Sequence, residues 1–171
     1  MHPRKSPFVF AMPCLLALAL PAPVSAHEGR KPVPPTSVAT DGETRDVIEV
    51  VDRFSAALKS GDMTTVSALL HPAVVVLESG GAERSRDEYF AHHAAADADF
   101  LRGAEVRPGP RSAHRRGELA WVAGESEVQW LRDGKPATSL NTETMVLQRG
   151  PQGWRIVHIH WSSRNKKESS P

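Results

Sequence analysis

Histidines and carboxylates at helix and strand spacings are the residues of this chain best suited to move a proton. His93 and Asp97 stand four apart in the run from Tyr89 to Leu101. A helix puts such a pair on one face, where the carboxylate orients the imidazole and raises its basicity. The alternative is the solvent-facing His–Asp pair that many helix surfaces carry. Tyr89 shares that stripe, whereas His92 points roughly 100° away. Glu125, Glu127 and Glu143 share odd numbering with Trp121, Met145, Ile159 and Trp161, which predicts one apolar wall carrying carboxylates. Burial there would raise a carboxylate pKa toward the range useful for proton transfer, while at an open rim the same groups are simply solvated. Gly124 lies mid-strand, and a bulge at it would reverse the facing of everything after it. His158 and His160 could ligate a metal if a third ligand approached; hydrogen-bonded packing near Thr142, Thr144 and Ser126 is the reading adopted, and no metal site is predicted.

The elements that must position these residues read in order. Val47, Ile48, Val50, Val51, Phe54, Ala57 and Leu58 recur at helical spacing, with Asp41 or Thr44 as cap and Gly61 as left-handed stop. Asp62 caps a short second helix that ends at Pro72. The β-branched run Ala73 to Leu77 is a buried strand, turned by Ser79-Gly80-Gly81 into a second short one. Ser85 and Glu88 form a capping box that opens a third helix running to about Leu101. Strand periodicity takes over from Ala104: Leu119 to Leu131, the Asp133-Gly134 hairpin turn, Thr138 to Gln148, and Trp154 to Trp161. Helices first and a long meander afterwards is an α+β order. Large apolar groups occur on both faces of these strands, so each face needs a cover: helices on one, a second copy of the chain on the other.

Length and charge narrow the function classes. The 171 residues fit one domain, and a net charge of +1 gives no electrostatic case for nucleic acid or an anionic membrane. Arg4 and Lys5, the apolar stretch Phe8 to Leu20 and Val24-Ser25-Ala26 have the form of a secretory signal cleaved after Ala26. That stretch falls short of the roughly 18 residues of a membrane-spanning helix. The expected divisions are a signal at 1–26, a Pro-rich flexible arm at 27–40, a domain at 41–162 and a polar tail at 163–171. The expected location is the periplasm or the exterior. Cys14, the only cysteine, leaves with the signal, so the mature chain has no disulfide and must rely on core packing or on pairing with a second copy. His27 would then be the first residue. Its amine and imidazole could chelate copper, but no second histidine on the arm supports that.

The order helix, short helix, hairpin, helix, meander, with Trp154-Arg-Ile-Val-His-Ile-His-Trp-Ser162 closing it and Asn141-Thr-Glu-Thr-Met-Val-Leu147 before, resembles the nuclear transport factor 2-like superfamily and, within it, the SnoaL-like group. The resemblance implies a cone-shaped domain of three N-terminal helices packed on a strongly curved antiparallel sheet, a pocket at the wide end, and homodimers through the outer sheet face. It also implies two functional classes. One is a binding protein holding a small, mostly apolar molecule against Tyr89, His93, Trp121, Glu125, Glu127, Glu143, Met145, Ile159 and Trp161. The other is a cyclase, isomerase or hydratase working by acid–base chemistry without metal or cofactor, with His93, Asp97, Glu125 and Glu143 as candidates. The ketosteroid isomerases of the superfamily use a tyrosine in the first helix; here that helix has none, and Phe54 faces inward instead. Arginine-lined pockets of the hub-type domains are likewise not matched by Glu125, Met145 and Trp161.

Overall fold

In the computed structural model the described residues are 44–166, so the expected signal, arm and final tail residues lie outside them. Helix α1 (Arg45–Ser60) buries Val47, Val51, Phe54, Ala57 and Leu58 along one stripe. Its end is closed as the sequence predicts: Gly61 has φ 78°, its N–H donates to Leu58 and the Asp62 N–H to Ala57, the paired bonds of a glycine-terminated helix. Asp62 then caps α2 (Met63–Leu69) by accepting from the Thr65 N–H at 3.0 Å.

Strands β1 (Leu70–Glu78) and β2 (Gly81–Glu83) form the small hairpin. Ser85 caps α3 (Arg86–His92), while the Glu88 carboxylate accepts from the Arg84 N–H rather than from Ser85. The expected single third helix is in fact two. It breaks at His93, whose φ −120° and ψ −33° are non-helical, and resumes as α4 (Ala94–Arg102), so the described residues hold four helices instead of three. The run is rich in helix formers, so its local sequence gives no reason to stop. The His93 ring instead turns to the Glu83 carboxylate on β2, a partner supplied by tertiary structure.

Four long strands follow: β3 (Glu105–Arg116), β4 (Leu119–Arg132), β5 (Lys135–Gly150) and β6 (Gly153–Asn165). The last runs three residues past the Ser162 boundary, pairing Asn165 with Ser139. The sheet order is β2-β1-β6-β5-β4-β3, with β1 parallel to β6 and every other pair antiparallel. It is therefore a mixed sheet and not the expected antiparallel one. A meander read strand by strand cannot reveal that β1 returns beside β6.

Two bulges in the β3–β6 meander set which of its side chains face the helices. Gly124 is not one of them, because β4 pairs residue for residue with β5 from Leu119 to Arg132. The first lies across from it on β3, where Gly109 and Pro110 together oppose Glu125; a Cβ on Gly109 would come within 3.1 Å of the Glu125 carbonyl oxygen. The second is at Val157: Leu147 pairs with Ile156, but Val146 pairs with His158. The core under the sheet is made by Phe54, Val66, Leu70, Val74, Met145, Leu147, Ile156 and Ile159, all at 0% exposure.

Candidate functional site

The shared odd numbering of Trp121, Glu125, Glu127 and Glu143 does not put them on one face. The turn at Asp133 (φ 52°) and Gly134 (φ 73°) pairs Arg132 with Lys135, so an odd residue of β4 lies opposite an even one of β5. Trp121 accordingly faces away from the helices, opposite Val146 and stacked on His114 at 5.1 Å. Glu125 is exposed opposite Thr142, and Glu127 takes an ion pair from Lys166 at 2.7 Å. Both border a polar depression with Arg107 and Arg164. Their expected company on the helix side is instead Val122 and Val128, both buried. Glu143, Met145, Ile159 and Trp161 do share the helix side, with Met145 opposite Ile159 and Glu143 opposite Trp161.

Between α1, α4 and this inner face is an open cavity of about 800 Å³. Phe54, Phe100, Val106, Val128, Trp130 and Trp161 form its apolar walls, and Glu78, Asp97 and Glu143 are its acids. Met145 and Ile159 lie beneath it as core. Phe54 stacks on Trp161 at 6.4 Å, and Phe100 meets Trp130 edge-on at 5.5 Å. The Trp161 indole N–H donates to Glu143 Oε2 at 2.8 Å. Burial pushes the Glu143 carboxyl above its ordinary range, against the opposing pull of that bond and of Arg111.

Asp97 reaches the cavity from the first turn of α4. Its partner is not His93: the buried Tyr89 hydroxyl donates to Asp97 Oδ2 at 2.8 Å. Burial raises the Asp97 pKa, with the Tyr89 bond and nearby His93 acting the other way. Tyr89 is itself pushed up, first by burial and then by the Asp97 charge. His93 pairs with Glu83, its side chain 53% exposed against 6% for Glu83, and it does not line the cavity. The expected His93–Asp97 dyad is thus replaced by two pairs, Tyr89–Asp97 and His93–Glu83.

Two acids were not anticipated from the sequence. Glu78, at the cavity edge, is raised by desolvation and then by Asp97; its only signal is that it closes the apolar run of β1. Glu83 stands in a three-residue strand after a Gly-Gly turn, and no pattern announces its burial. His158 and His160 belong to the outer face, where His158 Nδ1–H donates to the Val75 carbonyl at 3.0 Å and His160 is exposed.

Tyr89→Phe provides a local test. Removing the hydroxyl leaves a half-buried carboxylate without its donor, and a loss of about 1–2 kcal/mol at pH 8 is expected from urea denaturation. The loss should shrink near pH 4, where a protonated Asp97 needs that donor less. An unchanged midpoint at pH 8 would mean that the bond is dispensable.

A mixed, curved six-stranded sheet laid over α1, with an open cavity at the edge of the helix layer, defines an α+β protein of the nuclear transport factor 2-like fold. The sequence model of the SnoaL-like domain matches residues 47–165, and the chain belongs to that family. A candidate ketosteroid isomerase from Shewanella frigidimarina NCIMB 400 is 35% identical with a TM-score of 0.67, covering 71% of this chain and 98% of its own. The S. rosetta CaMKII hub is similar in fold at 23% identity and a TM-score of 0.61, covering 72% of this chain and 98% of the hub. So is a candidate dehydratase of the NTF2-like family from Streptomyces avermitilis, at 19% identity and a TM-score of 0.59, covering 71% and 96%. No curated protein matches the sequence.

Proposed function

We propose that the protein is an exported SnoaL-like binding protein that holds a small, mostly apolar molecule in its cavity and works as a homodimer. The observation that carries this is the cavity itself. Its volume of about 800 Å³ falls in the range of small-molecule sites, roughly 300–1,000 Å³, and its walls are aromatic and aliphatic with a few polar groups. The dimer reading is supported by the outer sheet face, where Trp121 and Leu119 are 37% and 50% exposed without a covering layer among the described residues. Export rests on the sequence of residues 1–26.

A second reading, cofactor-free acid–base catalysis, is favoured by one specific observation. Asp97 and Glu143 border the same cavity from a helix and a strand, and both are held toward their protonated forms by burial. One carboxyl could take a proton from a substrate while the other returns one. Neighbours named ketosteroid isomerase and dehydratase support this reading, although Phe54 stands where the isomerase resemblance calls for a tyrosine.

One experiment addresses these points together. Native mass spectrometry of the protein recovered from an exporting host should give a chain beginning at His27, twice its mass under gentle conditions, and an additional small-molecule mass. A single-chain mass would remove the dimer, and an uncleaved chain the export. An empty cavity that also fails to take up small apolar probes, whether charged or neutral, would remove the binding function. Incubation of a recovered ligand in heavy water separates the two readings. Deuterium entering a carbon position, and slowing roughly 10²–10⁴-fold in Asp97→Asn or Glu143→Gln, marks an enzyme.

A further inference from the structure

The cavity holds cations and acids of its own, and each cation makes a contact within the protein. The Lys59 ammonium donates to the Ala104 carbonyl at 3.3 Å, and the Arg132 guanidinium lies 5.2 Å from the Trp130 ring centre. Arg111, near Glu143, is tied by two bonds to Asp52 at 2.6 and 3.3 Å. The acids are arranged differently. Glu143 receives the Trp161 indole on one oxygen and Asp97 receives the Tyr89 hydroxyl on one oxygen. The second oxygen of each has no protein donor among the described residues. Both carboxyls are therefore oriented, and each keeps an acceptor for a ligand. Beside them stand Phe100, Trp130 and Trp161, whose ring faces attract a cation as well as burying apolar surface.

We infer that the molecule this cavity takes is an apolar amine bound as its cation, with the ammonium placed at one of the lining carboxyls, Asp97 or Glu143, and the hydrocarbon against the aromatic walls. This rests on the cavity being a small-molecule site. It specifies which chemistry that site accepts and which it rejects. An anionic ligand meets three carboxyls, against the Lys59 and Arg132 charges on the wall. A neutral ligand leaves the acceptors desolvated. An ammonium gives the carboxylate it meets a charge-assisted donor and offsets the burial that disfavours its ionised form.

Three probes with one hydrocarbon cage test this: adamantylmethylamine, adamantylmethanol and adamantane carboxylate, titrated calorimetrically into the full mature protein at pH 7. The amine is expected to bind about tenfold or more tightly than the alcohol, and the carboxylate most weakly. The double variant Asp97→Asn with Glu143→Gln, which keeps an acceptor for Tyr89 and for Trp161, should bring amine and alcohol to parity while alcohol binding persists. The wild-type protein gives a second readout that needs no variant. Amine affinity should rise between pH 4 and pH 7.5 as the carboxyls ionise, while alcohol affinity stays level. The groups around them are Glu78, Glu83 and His93 near Asp97, Arg111 and Asp52 near Glu143, and Lys59 and Arg132 on the wall. The alcohol profile therefore serves as the control for pH effects that act through the fold. Equal affinity for amine and alcohol, or tighter binding of the carboxylate, overturns the amine inference and leaves the binding site standing. Failure of all three probes to bind removes both.

Discussion

Phe54→Ala is expected to lower the free energy of unfolding by about 3–5 kcal/mol, the range for emptying a buried phenylalanine site. Against a total of roughly 5–15 kcal/mol for a domain of this kind, that is a large fraction. Phe54 is at 0% exposure in the middle of α1, and its ring stacks on Trp161. Its loss leaves a void that the β-sheet on one side and the helix backbone on the other cannot easily close. Guanidinium denaturation should show the midpoint falling with an unchanged slope. Phe100→Ala is the control: that ring also borders the cavity but is 44% exposed, and its removal should cost under about 1 kcal/mol. A loss at Phe54 no larger than at Phe100 would contradict the placement of α1 as the centre of the core. Because Trp161 leans on Phe54 and anchors Glu143, the variant should also blunt probe binding.

The second large effect is a dependence of stability on pH that two substitutions should remove. Burial raises the folded-state pKa of Asp97 and Glu143 above their unfolded values, so the folded chain binds protons more tightly. The sign follows: no penalty exists below about pH 4, where both states are protonated, and stability is lost as pH rises through the folded-state values. The double variant Asp97→Asn with Glu143→Gln cannot ionise at these positions. It should match the wild type near pH 4 and exceed it at pH 8 by roughly 1–3 kcal/mol, the scale of a desolvated polar group. Melting curves across that range decide the matter, and parallel profiles for the two proteins would refute it. Such a gain is what a binding or catalytic site held at a cost in stability predicts.

Much of the local structure was legible because it is written in short-range chemistry. Gly61, Asp62, Ser85 and Asp133-Gly134 each mark a helix end or a turn within a few residues, and the structure uses all of them, although the Glu88 arm of the Ser85 box goes to Arg84 instead. The break at His93 was not legible, and the partner its ring finds there is a carboxylate on another strand. The facing of Trp121, Glu125 and Glu127 is a different matter. A two-residue turn pairs residues three apart in number, so odd positions on β4 must oppose even ones on β5, and the hairpin already implied it. Glu143 and Asp97 were identifiable as acids near a pocket. Their donors, an indole eighteen residues on and a hydroxyl eight residues back, were not, since both depend on how strands and helices come together.

The bulge at Val157 has a bearing on what this family scaffold can vary. Trp154 and Trp161 are seven residues apart, an odd spacing that in an unbroken strand would send the two indoles to opposite sides of the sheet. The extra residue brings both to the helix side. There Trp154 donates to Asp46 at the start of α1 and Trp161 to Glu143 in the cavity. One strand thus carries the same device twice, once to moor the first helix and once to aim an acid. The number of residues between the two indoles matters as well as their N–H groups: the extra residue in β6 keeps the architecture and the site in phase.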